Sequence, residues 1–254
     1  MMRLFGFAVV LLSALSAFGQ QEISVAAASD LQPAMTEIAA RFEKQIGDKV
    51  KLSFGSSGNF FAQIQNGAPY DLFFSADVDY PKKLDSSGLA EPGSLYQYAI
   101  GRIVLWVPNG STIDVGKGLD ILADPAVTKL AIANPAHAPY GRAAEAALKK
   151  AGLWERVAPK VVLGENISQT AQFVQSGNVD AAILALSLVL SPGMKNQGRY
   201  FEIPQELYPP LCQAAVMLKS SRHKEVARRF IEFMKTSEIK TLLKQYGFSL
   251  EETI

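Results

Sequence analysis

The sequence predicts an α/β protein with two similar lobes, and three observations support this fold class. Short apolar runs of the strand type alternate with helical patterns along the chain, which is typical of sheets joined by crossover helices. The order helix, glycine, aspartate and apolar strand occurs twice, ending on 71–75 and on 179–185. Strands near Ile103 and Val216 lie where a chain that builds one lobe, then the other, and then returns would cross. We therefore predict two mixed sheets flanked by helices, with two crossover strands as a hinge.

The first 19 residues have the features of a secretory signal peptide. One positive charge, Arg3, precedes an apolar run over 4–15, and the small residues of 16–19 end in a cleavage-site pattern. This run is too short to span a membrane comfortably, and no later stretch is long and apolar enough. We predict cleavage after Gly19 and, because no cysteine lies near that site, release without a lipid anchor into the periplasm of a double-membrane bacterium.

The composition argues against several classes of partner. The chain is 48% hydrophobic, which is ample for a core. Without Arg3 it has 24 basic and 24 acidic residues, so the net charge of the mature chain is zero. No basic run contains interleaved aromatic residues, which argues against nucleic acid and against a membrane surface. Cys212 is the only cysteine, so we predict no internal disulfide and a small, buried side chain at this position.

The first strand–helix unit suggests a binding function. A predicted strand over 23–28 delivers Ser29 to the start of a helix over 32–45, and Pro33 fits the first turn because a helix start does not need its N–H. Free N–H groups, the positive end of the helix dipole and a serine hydroxyl suit a small anion. A serine before a helix is also an ordinary N-cap, so the position alone leaves both roles open.

The second unit offers a similar arrangement. Alternating apolar residues over 50–54 predict a strand that breaks into a turn of glycine, serine and asparagine over 55–59, before a helix over 60–65. The glycines permit close approach of the backbone to a bound group, and the serines offer hydroxyl donors. Ser57 is therefore a second candidate ligand, again with N-cap as the alternative role.

The third strand, 71–75, leads into a short helix, and here Ser75 and Asp77 are favoured as helix caps over site residues. After a segment rich in glycine, proline and tyrosine, for which we predict no strand, an apolar run predicts a strand over 102–107.

The remaining units continue the alternation of strands and helices. Ser168 is the expected N-cap of one of these helices. The predicted strands cover 130–133, 160–163, 179–185 and 214–218, and the predicted helices cover 142–151, 169–176, 224–234 and 237–246.

Five motifs, each weak alone, occur together in order along the chain: Val25-Ala26-Ala27-Ala28-Ser29, Phe54-Gly55-Ser56-Ser57-Gly58, the run 67–77, the loop 134–143 and Tyr246-Gly247-Phe248. With these motifs the mature chain resembles the periplasmic molybdate-binding proteins of ABC importers. The resemblance implies the type II periplasmic-binding fold. We expect one lobe from residues 20–101 plus 214–254 and a second lobe from residues 102–213.

The resemblance also implies the site residues. Ser29 and Ser57 match two serines that donate both hydroxyl and backbone N–H groups to the oxyanion, and Tyr140 and Ile167 match positions that donate a backbone N–H. Some family members have a tyrosine hydroxyl where this chain has Ala185. Whether the Tyr140 hydroxyl replaces that donor stays open.

The physical reading of these positions agrees with the resemblance. All four lie at strand-to-helix turns, where N–H groups are free and helix dipoles point outward. A doubly charged tetrahedral anion presents only acceptors, so a site of donors alone selects against protonated competitors. Because a carboxylate beside an anion repels it, we expect the Asp30 side chain to point away from the site, toward the helix start or solvent.

These features together predict a monomeric carrier that captures molybdate, and also tungstate, between its lobes and delivers it to an inner-membrane ABC permease. We expect no catalysis and no cofactor, and molybdenum only within the oxyanion held by Ser29, Ser57, Tyr140 and Ile167. The order of preference between molybdate and tungstate, and the degree of discrimination against sulfate, stay open.

Three alternatives belong beside this prediction. One is a binder of another tetrahedral oxyanion, such as sulfate or phosphate, or of a small organic acid. Another is an exported hydrolase with Ser29 or Ser57 as nucleophile; it would need His137 or His223 as the base, and no Gly-x-Ser-x-Gly elbow is present. A metal site is disfavoured because those are the only two histidines and no ligand cluster has the spacing of one. His137 is therefore predicted to structure its loop.

Overall fold

Two separate five-stranded sheets form the framework of the structure, a computed structural model that describes residues 20–250. The predicted signal peptide, residues 1–19, lies outside the described residues. Within the described range, the first sheet contains β1 (Glu22–Ala28), β2 (Lys49–Gly55), β3 (Leu72–Ser75), β4 (Tyr96–Gly101) and β10 (Leu211–Met217), and the second contains β5 (Ile103–Pro108), β6 (Leu130–Ala133), β7 (Val161–Gly164), β8 (Ala181–Ala185) and β9 (Gly198–Glu202).

The helices alternate with the strands, as the sequence pattern predicts. Short 3-10 turns also occur, and one of them, Ser29–Leu31, joins the first strand to the first helix. The α-helices of the described range are α1 (Gln32–Ile46), α2 (Ser57–Gln65), α3 (Asp79–Ser86), α4 (Pro139–Lys150), α5 (Trp154–Val157), α6 (Ile167–Gln175), α7 (Leu186–Val189), α8 (Lys224–Met234) and α9 (Ser237–Gln245).

The two sheets have the same topology. The order is β2-β1-β3-β10-β4 in the first and β7-β6-β8-β5-β9 in the second. In each sheet the first three strands are parallel, and the last two run antiparallel to their neighbours. We call the first sheet with its helices lobe 1 and the second sheet with its helices lobe 2.

The chain passes between the lobes twice. Arg102 alone separates β4 of lobe 1 from β5 of lobe 2, and residues 203–210 lead from β9 back to β10. The mixed sheets and the two crossings confirm the predicted fold class.

Both faces of the first sheet are covered by apolar packing. On one face Phe42 of α1 lies edge-on to Phe230 of α8, with ring centroids 5.0 Å apart. On the other face Phe60, Phe73 and Leu84 form a smaller cluster with α2 and α3. The second sheet is enclosed by a single large cluster. At about 25 cal/mol per Å² of buried apolar surface, this packing is the main stabilising contribution to each lobe.

Two edge strands were not predicted. β4 lies in the segment that we expected to be a loop, and β9 has the polar sequence Gly-Arg-Tyr-Phe-Glu. Each is the last strand of its sheet, and β4 makes only a single bridge, between Ile100 and Ser249, beyond its pairing with β10. Because an edge strand needs less apolar character, its pattern is weak. Cys212 is also only partly buried in β10, so the prediction of a buried side chain is wrong.

Within residues 20–250, none of the helices has both the length and the apolar character needed to cross a membrane.

Candidate oxyanion-binding site

A small cavity lies between the two lobes and brings together all four predicted site residues. Its volume is about 10 Å³, which is room for about one water molecule. In this arrangement of the lobes the cavity is too small for a sugar, an amino acid or a peptide. The cavity is lined by Ala28, Ser29, Asp30, Gly55, Ser56, Ser57, Ala76, Ala138, Pro139, Tyr140 and Ile167.

The position of the cavity follows from the parallel strands. In lobe 1, β1 pairs in parallel with β2 and β3, and Ala28 at the end of β1 lies opposite Gly55 at the end of β2. The carboxyl ends of parallel strands meet at one edge of the sheet, where ligands bind in open α/β folds. Ser29 and Ser57 are therefore brought together although they lie far apart in the sequence.

Ser57 is the first residue of α2 and is almost completely buried. Its Oγ accepts a hydrogen bond from the backbone N–H of Ala76 at 3.0 Å. Since the acceptor side of the hydroxyl is used, its hydrogen remains for donation. The N–H of the first residue of a helix has no acceptor within that helix. Ser57 therefore offers two donors at one position.

Gly58 shows how closely the lobes approach beside this residue. A Cβ atom there would lie 2.7 Å from the His137 carbonyl oxygen and 2.7 Å from the Tyr80 hydroxyl. The Gly58 N–H donates to the same His137 carbonyl at 2.9 Å. A side chain at this position would force the lobes apart.

Lobe 2 contributes two helix starts. α4 begins at Pro139, which has no N–H, so Tyr140 carries the first N–H of that helix. α6 begins at Ile167, and its N-cap is Asn166, whose Oδ1 accepts from the N–H groups of the two residues after Ile167. The Ile167 N–H lies outside this cap.

The prediction that Ser168 is the N-cap of this helix is wrong. The helix begins two residues earlier than predicted, and Asn166 occupies the cap position. Ser168 instead contacts lobe 1: its Oγ donates to the Ser29 carbonyl at 3.0 Å, and its N–H lies 3.4 Å from Ser29 Oγ. Ser29 Oγ donates to Asn166 Oδ1 at 3.2 Å. The first candidate ligand is therefore held between the lobes.

His137 also joins the lobes at the rim of the cavity. Its carbonyl accepts from Ser56 Oγ at 2.6 Å, and its Nδ1 lies 2.9 Å from the same oxygen. Because Ser56 gives its only hydroxyl hydrogen to the carbonyl, the ring nitrogen acts as a donor to Ser56 and not as a base. This arrangement agrees with a loop-structuring role and is the opposite of what a serine nucleophile needs.

Contacts of charged side chains lie further out on the rim. Arg142 Nη2 is 2.5 Å from Asp77 Oδ2, and Asn59 contacts Glu165. Asp77 Oδ1 also accepts from the Tyr80 N–H at 3.1 Å at the start of α3, which confirms its predicted capping role. Arg142 is not among the cavity-lining residues.

Of the two directions predicted for the Asp30 side chain, the helix start or solvent, solvent is wrong. Its side chain is fully buried, not directed to solvent, and Oδ2 accepts from Gln213 Nε2 at 2.7 Å. Oδ1 has no hydrogen-bond partner within the described part of the chain. Burial raises the pKa of Asp30 from 3.8 to about 6, while hydrogen bonds from Gln213 and Tyr140 act in the opposite direction. Near pH 6 this carboxyl group is therefore present in both its neutral and its ionised form, in a residue that lines the cavity.

The hydroxyl of Tyr140 is turned toward this buried carboxyl group. It accepts from Gln213 Nε2 at 3.0 Å, and burial raises the pKa of Tyr140 well above its ordinary value. Gln213 was not singled out from the sequence, although a lone amide between apolar residues of a strand is a usable signal. Ala185, at the end of β8, is buried and is not among the cavity-lining residues.

The lining contains no lysine, arginine or histidine. Within residues 20–250, no group of three or more histidine, cysteine, aspartate or glutamate side chains could hold a metal ion. The donors at the cavity are therefore hydroxyl groups and the N–H groups of helix starts, whose dipoles favour an anion.

Two similar lobes that enclose a small site at the carboxyl ends of their parallel strands define a two-lobed binding protein. The chain belongs to the bacterial extracellular solute-binding proteins, whose family model matches residues 23–249.

Two relatives and one solved structure give the comparison more detail. The chain is 39% identical to the molybdate-binding protein ModA of Azotobacter vinelandii over 91% of this chain and 90% of that protein. It is 38% identical to the molybdate-binding protein ModA of Rhodobacter capsulatus over 96% of this chain and 94% of that protein. The solved structure of the A. vinelandii periplasmic molybdate-binding protein matches with a TM-score of 0.86 at 35% identity, over 91% of this chain and all of that one. The predicted family resemblance is confirmed.

Proposed function

We propose that this protein captures molybdate, and also tungstate, between its lobes and delivers the ion to an ABC importer. The main support for the proposal is that four separate strand-to-helix turns contribute residues to the lining of one cavity. These residues are Ser29, Ser57, Tyr140 and Ile167. Relatives named as molybdate-binding proteins that match nearly the whole chain support the choice of ion.

The chemistry of the four positions suits a dianion. The Ser57 hydroxyl and the four backbone N–H groups of these residues make five donors, and the Ser29 hydroxyl becomes a sixth when it turns from Asn166 Oδ1 to the ion. Each hydrogen bond to a charged group contributes roughly 1.5 to 3 kcal/mol, and association costs about 4 kcal/mol or more in lost freedom. The upper part of this range allows sub-micromolar binding. No positive side chain is needed, because helix dipoles and aligned N–H groups disperse the charge.

The contacts between lobes suggest how the ion is retained and released. Ser168 bonds Ser29, His137 bonds Ser56, and Arg142 pairs with Asp77, so the two walls of the cavity are joined on several sides. Docking to an inner-membrane permease would open the lobes at the two crossings and release the ion. We further propose that the carrier acts as a periplasmic monomer, after removal of residues 1–19, without catalysis and without a cofactor.

Thermal unfolding and calorimetry with a panel of oxyanions test the proposal. Molybdate and tungstate should raise the melting temperature, and sulfate and phosphate at equal concentration should do much less. Equal shifts with sulfate would refute the selectivity, and no shift with any oxyanion would refute the function. Covalent labelling of Ser29 or Ser57 by ester or amide probes would support the hydrolase alternative instead.

A further inference from the structure

Gln213 has a buried side chain that contacts residues of both lobes. It lies in β10, the strand that follows the return from lobe 2 to lobe 1, and its side chain is fully buried. Nε2 donates to Asp30 Oδ2 at 2.7 Å and to the Tyr140 hydroxyl at 3.0 Å, and Oε1 lies 2.9 Å from the Tyr98 hydroxyl. One amide group therefore contacts three other elements.

These contacts link the two walls of the cavity. Asp30 directly follows Ser29 in the 3-10 turn of lobe 1, and Tyr140 carries the first N–H of α4 in lobe 2. The amide of Gln213 reaches both. A change in its position would therefore be transmitted to a donor on each side of the cavity.

The surrounding packing leaves little room for adjustment. A Cβ atom on Gly101 would lie 2.3 Å from the Tyr140 hydroxyl and 2.7 Å from Gln213 Nε2. Asp30, Tyr98 and Tyr140 are all buried as well. Hydrogen bonds in such an environment are strong, and breaking one leaves a buried polar group without a partner. The cluster of four side chains is accordingly expected to hold one arrangement when the lobes are together.

We propose that Gln213 is a positioning residue that sets the spacing between the Ser29 turn and the start of α4, and so the size of the oxyanion that the site accepts. This inference rests on the proposed function. Sulfate and molybdate share charge and shape and differ in size. Because the strength of a hydrogen bond depends steeply on distance and angle, donors held at a fixed spacing favour one size over the other.

Two variants test this role. Tyr140→Phe removes the hydroxyl from the cluster and keeps the backbone N–H that faces the ligand. Gln213→Met replaces the amide with a side chain of similar length, at the risk of a poorly folded protein, since it leaves Asp30 without its partner. Tyr208→Phe is the matched control: its buried hydroxyl accepts from the Ile103 N–H at 3.3 Å and does not contact the cluster.

Calorimetry of molybdate and sulfate on the full-length mature protein gives the decisive quantity, the ratio of the two Kd values. Tyr140→Phe, and Gln213→Met where it folds, should reduce the preference for molybdate by about tenfold, as expected for the loss of one buried hydrogen bond. Tyr208→Phe should leave the ratio as it is. Melting temperature without ligand is measured in parallel, because a purely structural role would lower it without changing the ratio.

The outcomes separate this inference from the proposed function. Binding of molybdate by the unaltered protein with an unchanged ratio in Tyr140→Phe refutes the positioning role alone. Absence of binding of any oxyanion by the unaltered protein refutes the proposed function and this inference with it.

Discussion

The backbone N–H of Ala76 donates to Ser57 Oγ at 3.0 Å. Ala76 directly follows β3, and Ser57 begins α2, so the contact joins two neighbouring turns of lobe 1. It fixes the serine oxygen as an acceptor on one side and leaves the hydroxyl hydrogen for an anion on the other. A serine used only as a helix cap would accept from an N–H of its own helix, whereas Ser57 follows the N-cap residue Ser56 and its Oγ accepts from Ala76 of another turn.

Ser57→Ala should weaken molybdate binding by roughly 1 to 3 kcal/mol, because a donor to a charged group is lost. Stability should fall too, since the buried Ala76 N–H loses its acceptor. Calorimetry measures the loss of affinity, and chemical unfolding without ligand measures the loss of stability. Ser87→Ala is the control, since its hydroxyl bonds only the Leu84 carbonyl at the end of α3. An affinity equal to that of the unaltered protein would remove Ser57 from the site.

Ile167→Pro should weaken molybdate binding by a similar 1 to 3 kcal/mol or so, because it deletes one N–H donor. Ile167 is the first residue of α6, a position where proline is well tolerated. Asn166 before it has φ −149° and ψ 175°, an extended conformation close to the one proline requires. Ile167→Val keeps the N–H and should bind normally. If both variants bind as the unaltered protein does, this backbone donor is not used.

Much of the fold was predictable from the sequence because local patterns determine it. The strand at 130–133 and the helix at 224–234 have the predicted limits. The four site residues were assigned through family resemblance, and their convergence on one cavity depends on the carboxyl ends of parallel strands meeting at one edge.

The contacts between lobes were not predictable in the same way. Ser168 is of a residue type that favours the N-cap position, yet it bonds Ser29, which lies in the other lobe. Asp30 was expected to point away from the site, toward the helix start or solvent, because a carboxylate repels a bound anion, and its side chain is buried instead of exposed to solvent. Gln213, more than 180 residues away in sequence, supplies the partner that makes burial tolerable. No periodic pattern records such a pairing.

Arg142→Gln should speed release of molybdate by about two- to fivefold, because the pair with Asp77 joins the lobes and an exposed ion pair is worth up to about 1 kcal/mol. The Arg142 side chain is 42% exposed. The difference in dissociation rate should therefore shrink as salt is added. Stopped-flow measurement at low and high salt tests this. Arg156→Gln is the control in lobe 2, where the guanidinium bonds only the Ala123 carbonyl. An unchanged release rate in Arg142→Gln would show that the pair does not hold the lobes together.

Asp30→Asn should change how stability depends on pH. Burial raises the pKa of Asp30 from 3.8 to about 6, so the folded protein favours the protonated carboxyl. This preference stabilises the folded protein fully below pH 3.8, the pKa of the group in the unfolded chain. The stabilisation is lost as the pH rises through about 6, the pKa in the folded protein. The difference between those pKa values corresponds to about 3 kcal/mol. Tyr98 and Tyr140, which face the carboxyl, have pKa values raised well above the ordinary value and stay neutral in this range.

Asparagine keeps an oxygen for the Gln213 amide but does not ionise. Relative to the unaltered protein, Asp30→Asn should therefore gain about 2.4 kcal/mol in free energy of unfolding between pH 4 and pH 7. Urea unfolding at a series of pH values gives this difference directly, and comparing the two proteins cancels the contributions of the other titrating groups.

A bound dianion is repelled by an ionised carboxylate, so the affinity of the unaltered protein for molybdate should fall as the pH rises above about 6, and that of Asp30→Asn should not. A stability difference that is the same at pH 4 and pH 7 would mean that burial does not raise the pKa of Asp30.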